Sequence, residues 1–238
     1  MTPPESHLGS YAGLIKGFIK QGYRPVFFHQ STGADGELII RHDVDFDCRL
    51  AHELSSLEDA MGVTSTYFFL VRSDSYNLFS KGNADLVRSI HARGHRVSIH
   101  FDPSLYTDIE EGFSAEKALF EAFFGVSIDV FSVHRPNDFL KNCDAPLAGV
   151  EHTYQDKYFK DIKYVSDSTG MFRYGHPFET EAWKLNRPIH LLIHPIWWMF
   201  PEAKDNLDVL DRFVAQRALR FQEHVADNCI PYRERLTP

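Results

Sequence analysis

The sequence predicts an α/β protein in which parallel strands are joined by crossover helices, open or closed to a barrel. Three observations predict it. Short apolar runs rich in β-branched and aromatic residues recur from Leu38 to Val133; they are too short for helices and read as buried strands. Between them lie segments whose apolar residues recur at steps of three or four, the period of one helix face. Gly22, Gly62, Gly94 and Gly125 each close such a segment, as helix ends favour. Strands alternating with helices argue for parallel pairing.

In chain order, residues 8–21 place Leu8, Tyr11, Leu14, Ile15, Phe18 and Ile19 at helical spacing. Val26-Phe27-Phe28 reads as a short strand, and Ser31 to Gly36 as a loop by its Gly, Asp and Ser content. Leu38-Ile39-Ile40 reads as a buried strand leading into Arg41-His42-Asp43-Val44-Asp45. Asp47 to Met61 reads as a helix with Leu50, Leu54, Leu57 and Met61 on one side. Strand 64–70, helix 84–93, strand 96–100, helix 114–124 and strand 128–133 follow. Residues 137–182 are polar, aromatic and less periodic, with Lys163-Tyr164-Val165-Ser166 as a candidate strand. Ile189 to Ile193 is a clear buried strand. In the last helix, 203–228, Leu207, Leu210, Val214, Ala218, Phe221 and Val225 form one apolar face. There is no repeat or low-complexity linker, so residues 1–238 are read as one domain.

Composition narrows the function classes. The 238 residues are 43% hydrophobic and 24% charged, an ordinary globular balance. A formal net charge of -8 disfavours a nucleic-acid partner. Cys48, Cys143 and Cys229 are odd in number and far apart, which fits a reducing compartment and no cysteine metal knuckle. Met-Thr-Pro-Pro-Glu-Ser has neither a basic region nor an apolar segment. No run approaches the roughly 20 apolar residues that span a bilayer. A cytoplasmic protein without a transmembrane segment is the expectation.

In parallel α/β folds the site lies at the carboxyl ends of the strands. Five ends here carry a charge or an imidazole. The first offers Asp43 and Asp45, which share a face because strand side chains alternate. The third offers His100, with Asp102 beyond it. The fourth offers His134-Arg135-Pro136. A later strand offers Ser166-Asp167-Ser168, and the last offers His194-Pro195 followed by Trp197 and Trp198. Taken singly, each is an ordinary residue: an N-cap, a structural histidine, a turn aspartate, a core tryptophan. Together they permit one chemistry. A carboxylate and two imidazoles hold a divalent metal and leave a position for water. A second carboxylate takes the water's proton, and a histidine protonates a leaving amine. That is the apparatus of metal-assisted amide hydrolysis, and the 13 histidines of the chain make such a site worth seeking.

The same residues resemble the motifs of the polysaccharide deacetylases, the NodB-like carbohydrate esterase family 4, in a diverged branch. Arg41 to Asp45 resemble the first motif, Gly94 to Asp102 the second, and Ser132-Val133-His134-Arg135-Pro136 the third. Tyr164 to Ser168 resemble the fourth and Leu191 to Pro195 the fifth. The five stand in family order between about residue 40 and residue 200. The resemblance implies a distorted (β/α) barrel of about seven parallel strands and an Asp-His-His metal site, most commonly filled by zinc. It implies Asp43 as base, tethered by Arg135, and His194 as general acid, oriented by Asp167. It implies Asp45 and His100 as metal ligands. The family's second metal histidine, four residues after the first, is Ser104 here, and His134 is the candidate replacement. Val44 separates aspartates that the family usually has adjacent, which leaves open which is base and which is ligand.

The implied activity is removal of an N-acetyl or other small N-acyl group from an amino sugar. A nucleotide- or lipid-linked sugar, on the way to a surface polysaccharide, fits a cytoplasmic enzyme. Trp197 and Trp198 are candidates for an apolar wall against the substrate. Two other classes compete. His100-Phe101-Asp102 with a distant histidine is also the spacing of a non-haem iron oxygenase, whose fold is an antiparallel double-sheet barrel. A carbohydrate-binding relative that has lost turnover would explain Ser104.

Overall fold

Leu38, Ile40, His42 and Val44 point one way from their strand, and Ile39, Arg41 and Asp43 point the other. That division organises the molecule. In the computed structural model, which describes residues 6–135 and 143–236, this strand is β2 (Glu37–Val44), buried throughout. A strand covered on both faces reads as a continuous apolar run, and here the run turns polar only toward its carboxyl end.

The other strands are β1 (Arg24–Val26), β3 (Thr66–Phe69), β4 (Arg96–Phe101), β5 (Val130–Val133), β6 (Glu151–His152), β7 (Lys163–Ser166) and β8 (Ile189–Ile193). Their order across the sheet is β6-β5-β4-β3-β2-β8-β7, with β1 paired to the start of β2. All of these pairings are parallel. The sheet curls into a half-barrel, as expected, and the antiparallel scaffold of an iron oxygenase is not what these strands build.

Helices α1 (Tyr11–Gln21) and α2 (Cys48–Ala60) cover the even-numbered face of β2. Their Leu14, Ile15, Phe18, Leu50 and Leu54 join Leu38, Ile40 and Ile193 in one core. Ser10 caps α1 by accepting from Gly13 N, and Asp47 caps α2 by accepting from Arg49 N. Such caps satisfy donors that a helix start leaves free. The aspartate that caps is therefore Asp47, which leaves Asp43 and Asp45 to the site. Helices α3 (Lys81–Ala92) and α4 (Ile109–Phe124) cover β3 to β5. On the inner face, Phe28, Ile39, Phe68, Val130, Tyr158 and Ile162 form an apolar plug.

Several boundaries differ from the sequence expectation. Strand β1 ends where 26–28 was expected to form a strand, because Phe28 begins a short 3-10 turn and enters the plug. Helix α4 starts at Ile109, before the expected 114, since Asp108 caps it by accepting from Glu111 N. Gly112 is tolerated inside it because a Cβ there would stand 2.2 Å from the Tyr106 ring. The short helices α5 (Asp156–Phe159) and α6 (Glu181–Lys184) lie in the stretch read as irregular. Helix α7 (Asn206–Asn228) is followed by α8 (Ile230–Leu236). Its expected apolar face is corrected. Val209 and Phe213 are buried in the core, whereas Leu207, Val214 and Phe221 are more than 60% exposed. The helix meets the core with its first turns only, so a period that continues past them finds nothing to bury it. Among the described residues no helix is long and apolar enough to cross a membrane.

Glu58, fully buried on α2, joins the even face of β2 to the helix layer. Tyr11, Tyr67 and Ser65 donate hydroxyl hydrogen bonds to its carboxylate. His42 Nε2 adds a fourth at 2.9 Å. His95 Nδ1 lies 3.6 Å off, too far to bond; it accepts instead from Ser65 N at 3.2 Å. Burial pushes the Glu58 carboxyl up, but His42, His95 and the Tyr11 hydroxyl outweigh it and hold the pKa at about 2, below its ordinary 4.5. A pKa lowered by folding gives stability that is complete above the unfolded value and is lost as pH falls through the folded one. Urea unfolding across pH is expected to show stability draining away from about pH 4.5 toward 2. Glu58→Gln is expected to flatten that acid limb and to lower neutral-pH stability by about 1–3 kcal/mol, as donors lose their acceptor.

Candidate active site at the strand ends

Arg41 and Asp43 stand two residues apart on the inner face of β2, so their side chains meet. Arg41 Nε and Nη2 donate to the two Asp43 oxygens at 2.9 and 2.6 Å. Both residues are buried, Arg41 at 0% and Asp43 at 3% exposure. The guanidinium also lies 5.4 Å from the Tyr154 ring centroid and 5.8 Å from that of Phe68. Burial opposes the Asp43 charge. Arg41 more than offsets it, with help from His100 and His194, and holds the carboxyl at about 2.

This corrects one expectation. The tether of Asp43 is Arg41, not Arg135. Arg135 is exposed, has φ +48, and lines both the outer cleft and the cavity beside Asp43 without reaching an ion-pair distance from it. The signal for Arg41 was in the sequence, since residues at i and i+2 of a strand share a face. Pro136 of the third motif lies outside the described residues.

Asp45 follows the end of β2, His100 lies near the end of β4, and His134 follows β5. The parallel register sets His100 opposite Ser132, and Ser132 Oγ lies 2.6 Å from His100 Nδ1. That contact turns His100 Nε2 toward Asp45 Oδ1, 3.2 Å away. His134 Nδ1 lies 3.5 Å from the same oxygen and 3.1 Å from His100 Nε2. One donor atom from each residue falls within 4.8 Å of the others. Asp45 Oδ1 is buried without a well-formed hydrogen bond. One carboxylate and two imidazoles converging on an orphaned oxygen fit a divalent metal. Burial pushes the Asp45 carboxyl up, but contacts to His100 and His134 outweigh it and keep it well below the ordinary range. Ser104, at the family's second histidine position, is turned elsewhere; its N and Oγ donate to Asp102 at 2.9 and 2.6 Å.

Across this cluster stands His194, whose Nε2 lies 3.9 Å from Asp45 Oδ2. Its Nδ1 lies 2.6 Å from Asp167 Oδ1, and its backbone N–H donates to both Asp167 oxygens at 3.0 Å. Trp198 Nε1 donates to Asp167 Oδ2 at 2.7 Å. Burial disfavours the imidazolium, but Asp167, then Asp45 and Asp43, raise the His194 pKa to about 9. Trp198 is therefore no substrate wall. It is 1% exposed, packs edge-on against Tyr11, and holds Asp167 from below. Trp197 lines a cavity of about 280 Å³ together with Asp43, Asp45, His100, His134 and His194. Sequence reasoning missed Arg41 as tether, Ser132 and Tyr154.

No family model matches the chain, and no curated protein matches it. Among solved structures the fold is similar to the chitin deacetylase from the fungal pathogen Colletotrichum lindemuthianum. Identity is 15%, with 81% of this chain and 86% of that chain covered, and the TM-score is 0.45. It is similar to a polysaccharide deacetylase from Bacillus cereus at 17% identity, covering 76% of this chain and 88% of that one, with a TM-score of 0.44. A family 4 carbohydrate esterase pseudoenzyme from Bacillus anthracis is also similar, at 13% identity over 81% of this chain and 65% of that one, with a TM-score of 0.43. These likenesses are of fold.

Asp167 is the largest cause that raises the His194 pKa, so its neutralisation is expected to lower it. In an Asp167→Asn variant, burial is opposed only by Asp45 and Asp43, and the His194 titration falls from about 9 toward its ordinary 6.5. Histidine NMR titration measures this directly. A titration that stays near 9 would remove Asp167 as the cause.

Proposed function

We propose that the protein is a metal-dependent hydrolase that removes an N-acetyl or other small N-acyl group from an amino sugar. One observation carries the reading. A buried carboxylate held ionised and a half-buried imidazole held protonated flank the same three metal-donor atoms. Groups pushed in opposite directions by their surroundings mark a base and an acid.

Asp45, His100 and His134 would hold the metal, with zinc the expected ion. Bound there, a divalent cation lowers the pKa of water and polarises the amide carbonyl. Asp43 takes the proton from the attacking water, and the Arg41 fork fixes the orientation from which it does so. His194 gives a proton to the departing amine nitrogen, so the C–N bond breaks without expelling an amide anion. The products are the free amino sugar and the carboxylic acid. Trp197 stands beside this centre as an apolar surface for the sugar or acyl group.

The position of His134 supports this reading despite Ser104: it ends the strand beside that of His100, with its Nδ1 3.1 Å from His100 Nε2. That favours hydrolysis over a binding module.

Zinc content and acetate release from a panel of N-acetylated amino sugars test the reading together. His134→Ala is expected to lower zinc content at least tenfold. Asp43→Asn is expected to keep its zinc and lose about a hundredfold or more in rate. Full activity in Asp43→Asn would defeat the assignment. So would protein that loads zinc and hydrolyses none of the panel.

A further inference from the structure

The metal donors open on a cleft of about 780 Å³ whose walls carry three arginines, Arg72, Arg135 and Arg217. A chain of formal net charge -8 has little reason to gather three guanidiniums in one concavity. Beyond the metal donor Asp45, the carboxylates on these walls are Asp74 and Asp102. Asp102 is occupied, accepting from Ser104 N and Oγ. None of the three arginines has a carboxylate within ion-pair distance among the described residues. Arg72 lies over the Tyr106 ring, 5.4 Å from its centroid. Arg217, from α7, donates to Ser75 O at 2.5 Å, which fixes the 72–77 loop.

Arg135 is the most telling. It directly follows the metal donor His134, and its φ of +48 is a left-handed backbone that non-glycine residues seldom adopt. Its side chain lies on the cleft wall and makes no polar contact among the described residues. Strain of this kind gathers at ligand-binding positions, where the bound partner compensates it.

We infer that this cleft binds a phosphate or pyrophosphate group carried by the amino sugar whose amide is cleaved beside it. The inference rests on the deacylase reading and names its substrate class. Guanidinium forks match phosphate oxygens two at a time. A single carboxylate is satisfied by one fork, as Asp43 is by Arg41. With Arg217 engaged on Ser75 O, the forks of Arg72 and Arg135 suit the several oxygens and higher charge of a phosphate ester or diester. The class of reaction that supplies such a substrate is glycosyl phosphate activation, before the sugar is transferred to a polymer.

Calorimetry on zinc-loaded Asp43→Asn protein tests this without turnover. The probes are N-acetylglucosamine 1-phosphate, its neutral methyl glycoside, and N-acetylmuramic acid as the carboxylate-bearing sugar. The phosphate sugar is expected to bind at least about tenfold tighter than the glycoside. That advantage should shrink several-fold between about 50 and 300 mM salt. Adding Arg72→Ala and Arg135→Ala should remove most of it; the metal is common to both proteins, so the difference isolates the arginines. Equal affinity for phosphate sugar and glycoside overturns the inference, and so does a preference for the muramic acid. Acetate release by the wild-type protein, measured separately, decides the deacylase reading. Phosphate preference without any release would overturn that reading and leave the anionic cleft standing.

Discussion

The ion pair between Arg41 and Asp43 is the constraint on which the rest of the barrel depends. Both groups sit out of water, and two desolvated charges are tolerated only with near-ideal geometry. The fork supplies it through two hydrogen bonds. The pair also divides the interior. Below it the inner face is the apolar plug of Phe28, Ile39, Phe68, Val130, Tyr158 and Ile162. At and above it the lining turns polar, with Ser132, His100 and Tyr154. His190, buried beneath, stays neutral because burial and then Arg41 push its pKa down to about 3. A second cation beside Arg41 would undo the balance, and the field of Arg41 itself prevents one.

The two groups that flank the donor cluster are tuned by one device used twice. Asp43 is held ionised by a buried cation, and His194 is held charged by a buried anion. Each partner is pinned by further contacts. Asp167 receives the His194 backbone N–H and the Trp198 indole N–H, and Arg41 is wedged between aromatic rings. Charges fixed by such shells need not reorganise when charge moves in a reaction, which is where most electrostatic catalysis arises.

Much of this was legible in the sequence. Strands β2, β4 and β8 are covered on both faces, so their apolar runs stand out and their polar ends point to the site. The strand ends show Asp45, His100 and His134 among several candidates, and the family resemblance, not the strand ends, singles out these three as a donor set. What failed has physical reasons. The motif points to Arg135, whereas the i, i+2 spacing of a strand puts Arg41 on the face of Asp43. Sequence does not show which face of a short turn is covered, so it cannot tell that Trp198 is buried. The apolar period of α7 outruns the core that its first turns meet. Strand β6 has two residues, too few for any period to register.

The proposed metal site takes its second imidazole, His134, from the end of the neighbouring strand. In the parallel register His100 faces Ser132 on the next strand. Two residues beyond Ser132, one pleat further along the same face, the chain reaches His134. A ligand four residues after His100 would have to come from the turn that follows β4. That turn instead starts with Asp102 capping through Ser104. The neighbouring strand end offers a stiffer mount, since β5 is paired on both sides. It also sets the next residue, Arg135, on the outer rim of the same donors. The dipeptide His134-Arg135 therefore joins the donor cluster to the basic cleft. The left-handed backbone of Arg135 is the local strain that this arrangement carries.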